Sequence, residues 1–372
     1  MLELNLTPAR SLFAAFGRFS PAQPLRTLLR TTGKRFNPAR LETLSSAAGP
    51  AVRAALSRGE GAPDMLACIR REKRGGTQPT IVLGGYVPDA GEQVYLVRGY
   101  LARQGSVYYV DYPRAAFNAE LLAAQLDDLV AEINAREPTP PVVFAVSFGA
   151  GVVLDWLRRN RLAGRPAPHL GGLILISPVC SALDIVAPGE TKPTTLLGRA
   201  LKPMLDAPET ENAAAVEKAR AIFARMFEAG AQNKATLATL LTRHELHELR
   251  SGVQATIAGV THAGAMARVR AMQAMACPST YLTPELLPLS SAPTLILYAE
   301  KEGAVLSDRA PGRQALEKAC ASFFPRGICR VIHNPHGTPI QHASLIFHAS
   351  NFLPVLGRFY RSLKNRKTLV ST

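Results

Sequence analysis

The chain has 372 residues, 47% of them hydrophobic, with a mean hydropathy of +0.05. That is enough chain for one large or two ordinary domains around a sizeable core, and it excludes a disordered protein. The formal charge of +15 is concentrated at the ends: residues 1–75 hold 13 Lys and Arg against 5 Asp and Glu, residues 358–372 hold 5 against none, and residues 76–357 hold 25 against 23.

Residues 1–75 contain short helical patterns such as Ala51–Arg58, broken by Gly and Pro, and read as a basic N-terminal extension. From residue 79 the pattern becomes regular. Pro79–Gly84 is a short apolar run ending in Gly, Gln93–Arg103 has helical spacing, and Ser106–Asp111 is β-branched and aromatic, as strands are. Asn118–Glu137 places Leu122, Leu126, Leu129 and Ile133 on one helical stripe. Pro141–Val146 predicts a strand, Phe148–Asn160 a helix, and Leu170–Pro178 another strand. These strands are apolar throughout, as strands buried on both faces of a parallel sheet are. The alternation stops near residue 182 and resumes with strand Pro293–Ala299, a helix near Arg313–Phe323, strand Ile328–His333 and a final helix from about His342. The segment between is helical, with Asn212–Ala229 one of its members.

The expected organisation is therefore an α/β core in two parts, 76–181 and 291–372, interrupted by a helical insertion at 182–290. An insertion there covers the C-terminal edge of the sheet, where ligands bind. Apolar runs such as Leu173–Ile176 are strand-length and far short of a membrane-crossing helix. Met-Leu-Glu-Leu-Asn lacks a basic stretch and a long apolar stretch, which predicts no secretory leader. Cys68, Cys180, Cys277, Cys320 and Cys329 are scattered, without a C-x-x-C pair, and suggest neither zinc nor a disulfide framework; a cytoplasmic location, with peripheral membrane attachment as a variant, is the expectation.

The most informative segment is Ala145-Val146-Ser147-Phe148-Gly149-Ala150-Gly151. It follows a buried strand directly and opens a helix, the setting in which a Ser is held on a tight, strained turn with its hydroxyl exposed. A bland alternative is a Ser capping a helix. A Ser hydroxyl needs a base, and the base an orienting acid. Downstream, the strand ending at Ala299 is followed by Glu300-Lys301-Glu302-Gly303-Ala304-Val305, and the last strand by a loop containing His336 and His342.

On these residues the chain resembles the α/β-hydrolase superfamily over about 79–183 and 291–360. The resemblance implies an α/β-hydrolase fold, a mostly parallel sheet with helices on both faces and an inserted helical cap. It makes Ser147 the nucleophile, Glu302 the acid and His342 the base, with Glu in place of the commoner Asp and Ala145 in place of the first Gly of G-x-S-x-G. Glu300, Asp308 and Asp184 compete for the acid, and His336 for the base; His333 and His348 read as structural. An oxyanion hole would use the N–H of Phe148 and that of Tyr86 in Gly84-Gly85-Tyr86-Val87; the bland alternative for this stretch is a Gly-rich turn without a ligand role.

His244-Glu245-Leu246-His247-Glu248 lacks the second His at i+4 that H-E-x-x-H requires, so no metal is assigned, and no cofactor is implied. Asp111 reads as a turn residue. Met204, Met226, Met266, Met272 and Met275 in the insertion are either ordinary packing or an adaptable lining for a greasy substrate. The expected activity is hydrolysis of an apolar acyl ester. A thioesterase or acyltransferase serving an acidic carrier protein is the alternative enzyme, and a non-catalytic protein docking an anionic membrane surface the alternative of another class. Nucleic acid is disfavoured, because the basic ends carry few aromatics beyond Phe13, Phe16, Phe19 and Phe36.

Overall fold

The computed structural model describes residues 40–44, 49–207, 212–231, 237, 240–335 and 337–370, with side chains as far as residue 365. Eight strands form one sheet: β1 (Leu41–Leu44), β2 (Cys68–Glu72), β3 (Thr80–Leu83), β4 (Val107–Asp111), β5 (Val142–Val146), β6 (Gly172–Ile176), β7 (Thr294–Ala299) and β8 (Gly327–Ile332), in the order β1-β2-β4-β3-β5-β6-β7-β8. The β1–β2 and β2–β4 pairs are antiparallel and the other five parallel. From β3 the chain steps outward to β4 and then crosses to the opposite side for β5. The loops after β3 and β5 therefore diverge and leave a crevice at the C-terminal ends of these strands.

The sheet begins earlier than expected. The segment read as an N-terminal extension supplies its two antiparallel strands, and α1 (Pro50–Ser57) is held by the Asp128 carboxylate, which accepts hydrogen bonds from the N–H groups of Ala51 and Val52 at 3.0 and 2.9 Å. Of the basic ends, residues 1–39 and the side chains from 366 onward lie outside the described residues.

Side chains alternate between the two faces of the sheet. One face carries Ile81, Val143, Leu175 and Ile296 and is covered by α4 (Ala119–Arg136) and α5 (Phe148–Leu162); the other carries Val82, Phe144, Ile174 and Leu297 and is covered by α3 (Arg98–Gln104) and α13 (Leu345–Val370). Asn118 starts α4 by accepting the Leu121 N–H at 2.8 Å. The helix expected at Gln93–Arg103 is two pieces, α2 (Ala90–Gln93) and α3, because the chain turns through Val94–Val97 to lay Val94, Val97 and Leu101 on the sheet. The helix expected at Arg313–Phe323 likewise divides at Ala319 into α11 (Pro311–Lys318) and α12 (Cys320–Phe323).

Between β6 and β7 the described residues form α6 (Ala182–Ile185), α7 (Leu196–Leu205), α8 (Ala213–Ala231), α9 (Arg243–Gly259) and α10 (His262–Ala274). Thr242 and Glu245 cap α9 reciprocally, and Thr261 caps α10 through the Gly264 N–H. Several hydrogen bonds tie this layer to the crevice, two of them from the capped helices α9 and α10. Thr256 of α9 donates to the Glu92 carboxylate at 3.1 Å, and the N–H of Thr261 donates to the Arg114 carbonyl at 2.9 Å. No helix among the described residues is long and apolar enough to cross a membrane.

Candidate active site

Strand β5 is fully buried and ends in a turn at Ser147, whose φ of 52° and ψ of −116° lie outside the regions a non-glycine residue ordinarily adopts. The turn is held from all sides: the Ser147 N–H donates to the Ile176 carbonyl at 2.8 Å, and its carbonyl accepts from the N–H groups of Ala150 and Val179. Small residues are needed where backbones close in. A Cβ on Gly149 would stand 2.3 Å from the Gly84 carbonyl oxygen, and one on Gly151 1.9 Å from that of Val179. Ala145 meets no such limit; its methyl is buried among the sheet residues of the core, which explains why Gly is dispensable there.

The structure brings Ser147, His342 and Glu302 together. Ser147 Oγ lies 2.8 Å from His342 Nε2, and His342 Nδ1 is hydrogen-bonded to Glu302 Oε1. The imidazole and carboxylate side chains are 5% and 1% exposed. Burial by itself would push the Glu302 carboxyl up, but His342 and donors from the Ala299 N–H (2.9 Å) and Ser177 hydroxyl (2.8 Å) hold it below its ordinary value. His342 sits in the turn ahead of α13 and does not open the helix, which starts at Leu345.

The competing residues have other partners. Asp184 accepts the N–H groups of Cys180 and Gly312 at 2.9 and 2.7 Å, with burial raising its carboxyl to about 6. Glu300 accepts the N–H groups of Asn334 and Ile340, and Asp308 pairs with Arg313. His333 faces Glu300 at 3.6 Å; His348 is buried between Ser344 and the Thr338 carbonyl. His336 lies outside the described residues. Asp111 ends a strand, as expected: it is the last residue of β4, and it pairs with Arg70 instead of lying in the turn. His244 is exposed and pairs with Glu248, and no metal-ligand cluster occurs among the described residues.

Gly84-Gly85-Tyr86 follows β3 and borders Ser147: a Cβ on Gly85 would be 3.5 Å from that of Ser147. Neither the Phe148 nor the Tyr86 N–H donates to a described residue. The Tyr86 ring stacks on Phe223 at 5.5 Å while its hydroxyl donates to the Ala265 carbonyl of α10 at 2.8 Å. A cavity of about 170 Å³ opens over Ser147 and His342, walled by Phe223, Met226, Phe227 and Ile257 of the inserted helices. Of the five insertion methionines, Met226 reaches this cavity; Met204, Met266, Met272 and Met275 are buried in the main hydrophobic cluster.

Three residues escaped sequence reasoning. Ser177 directly follows β6 with φ 46°, and its hydroxyl donates to Glu302 while accepting the Ala343 N–H at 3.1 Å. Ser147, Ser177 and Ala343 are the non-glycine residues with positive φ among those described, so the strain is gathered at this one place. Gln93 donates from its side-chain amide to the Ala343 carbonyl at 3.3 Å. Arg268 of α10 donates to the Tyr86 carbonyl. A small polar residue directly after a buried strand was the available signal for Ser177; the other two had none.

No protein-family model and no curated protein sequence matches the chain. Solved structures do. A thermophilic esterase from Thermogutta terrifontis is 16% identical, with 80% of this chain and 94% of that one covered at a TM-score of 0.51. MenH from S. aureus is 16% identical over 80% and 98% of the two chains, at 0.53. A bacterial membrane phospholipase A is 14% identical over 97% of both, at 0.53. At such identities the likeness is one of fold: the chain has the α/β-hydrolase fold.

Proposed function

We propose that the protein is a serine hydrolase that cleaves an apolar carboxylic ester through an acyl-enzyme. The observation that carries this reading is the hydrogen-bonded series Ser147, His342 and Glu302, in reach of one another at the mouth of an apolar cavity. Ser147 Oγ attacks the ester carbonyl as His342 Nε2 takes its proton; Glu302 keeps the Nδ1 proton in place and balances the imidazolium. The N–H groups of Phe148 and Tyr86 receive the oxyanion. The tetrahedral intermediate collapses, His342 returns the proton to the departing alcohol, and water repeats the sequence to free the acid. The inserted helices act as a cap that supplies the apolar wall. That an esterase and a phospholipase A share this fold supports acyl-ester chemistry.

Labelling with a fluorophosphonate probe tests the proposal. The wild-type protein should be labelled and Ser147→Ala should not; equal labelling of both would overturn it.

A further inference from the structure

Helices α7 and α8 pack against each other and enclose a groove of about 690 Å³ on the inserted layer. Its floor is apolar, with Leu196, Pro203, Ile222 and Met226. Its rim is cationic: α7 brings Arg199 and Lys202, α8 brings Lys218 and Arg225, and Asp206 is the one carboxylate among the described lining residues. Asp206 pairs with Lys202 at 2.7 Å, and Arg199 donates to the Thr194 carbonyl at 2.9 Å. Lys218 and Arg225 make no ion pair with a described residue. Residues 76–357 hold only two more basic than acidic residues, 25 against 23, so an excess of three cations among the described lining residues of one groove is a local concentration.

The groove adjoins the candidate active site. Met226 and Ala229 line both the groove and the cavity over Ser147, and Leu196 of the groove is followed in α7 by Leu197 of the cavity. A ligand lying across this shared wall places one part at Ser147 and another beside Arg225, with Lys218 two helical turns further along α8. Guanidinium and ammonium groups over an apolar floor suit an amphiphile whose head carries a phosphate, which Arg engages with paired N–H donors.

Resting on the ester-hydrolase reading above, we propose that the substrate is an anionic amphiphile, with its ester at Ser147 and its phosphate head between α7 and α8.

Two substrates that share an acyl chain test this: 1-decanoyl-glycerol 3-phosphate and neutral 1-decanoyl-glycerol. The wild-type protein should favour the phosphorylated one at least tenfold in kcat/KM, and 0.5 M NaCl should erode the preference. In the triple variant Arg199→Gln, Lys218→Gln, Arg225→Gln the ratio should fall at least tenfold. Decyl phosphate binding to Ser147→Ala gives a readout that needs no catalysis; adding the three Gln changes should weaken it at least tenfold, and circular dichroism checks that the fold is kept. A wild-type ratio near one, a ratio unmoved by the triple variant, or no decyl phosphate binding would overturn the proposal. So would a triple variant that loses only its binding to anionic vesicles, which would make the groove a membrane contact. Hydrolysis of 4-nitrophenyl butyrate that depends on Ser147 keeps the two readings apart, since it stands or falls without the groove.

Discussion

The guanidinium of Arg268, on the inserted helix α10, donates a hydrogen bond to the carbonyl oxygen of Tyr86, on the loop that follows β3. The same residue's hydroxyl is fixed to α10 through Ala265, so Tyr86 is gripped by one helix at both ends. Arg268 is 1% exposed, its remaining contacts are the Pro113 carbonyl at 3.2 Å and the faces of Tyr86 and Tyr112, and its Nε has no partner among the described residues. Burying a cation without a bonded carboxylate is costly. What it fixes is the Tyr86–Val87 peptide, the neighbour of the one whose N–H is proposed to meet the oxyanion.

On the proposed mechanism, Arg268 would act as a positioning residue. Arg268→Met should lower kcat roughly ten- to a hundredfold, in line with about 1.5–3 kcal/mol for a hydrogen bond from a charged donor, and leave KM within about threefold. Arg268→Lys should recover part of the loss. A variant with altered urea stability but unchanged kcat would reduce Arg268 to packing.

A second prediction separates the two small residues of the elbow. Gly149→Ala places a methyl 2.3 Å from the Gly84 carbonyl oxygen and 2.8 Å from the Tyr112 hydroxyl. Relief requires moving the loop that borders Ser147, so activity should fall at least a hundredfold with a stability loss of about 1–3 kcal/mol. Ala145→Gly removes a buried methyl from a strand that tolerates it. It should cost about 1 kcal/mol and keep activity within about threefold. Steady-state kinetics and urea melts on the pair check both; equal activity in the two variants would contradict the close approach at Gly149.

The contrast shows what the sequence could and could not convey. Strand, Ser and helix are consecutive, so residues 142–162 could be read from local pattern alone, as could the capped helix at 119–136. Glu302 and His342 were legible by their places after β7 and β8, though only the folded chain separates them from Glu300 and Asp184. The antiparallel edge was missed because β2 reads Cys-Ile-Arg-Arg-Glu: its charges are held by partners far along the chain, Arg70 by Asp111 and Glu72 by Arg98. The division of the expected helix at Val94–Val97 has no Gly or Pro at the break to announce it; the Gly of this segment, Gly99, lies inside α3. Arg268 and Tyr86 are 182 positions apart, and helical spacing in α10 says nothing about which loop its buried side chains meet.

Ser147→Ala and His342→Ala should each reduce kcat by several orders of magnitude, and the double variant should be little worse than either. Groups that pass one proton between them act as a unit, so removing the second finds little left to lose. Hydrolysis of 4-nitrophenyl butyrate measures this. Multiplicative losses in the double variant would mean that His342 serves another purpose than activating Ser147.

The last prediction joins catalysis to pH. The Ser177 hydroxyl donates to Glu302 Oε2 and accepts the N–H of Ala343, the residue after His342, so one side chain fastens Glu302 to the loop of His342. Glu302 has a folded value below its ordinary 4.5, an outcome in which Ser177 takes part. A carboxylate lowered in this way adds stability above about pH 4.5, where the unfolded chain is also ionised, and that stability is lost as pH falls through the folded value. Ser177→Ala removes a donor to the carboxylate, raises the folded value and narrows the gap. The variant should therefore be less stable than wild type at pH 7, with the difference shrinking as the pH is lowered from 4.5 to 3. Its kcat should fall about tenfold, because both Glu302 and the His342 loop are less firmly held. Urea midpoints at intervals from pH 7 to pH 3 decide the matter: a stability difference that stays constant over the range would show that the hydroxyl acts by packing and not through the Glu302 charge.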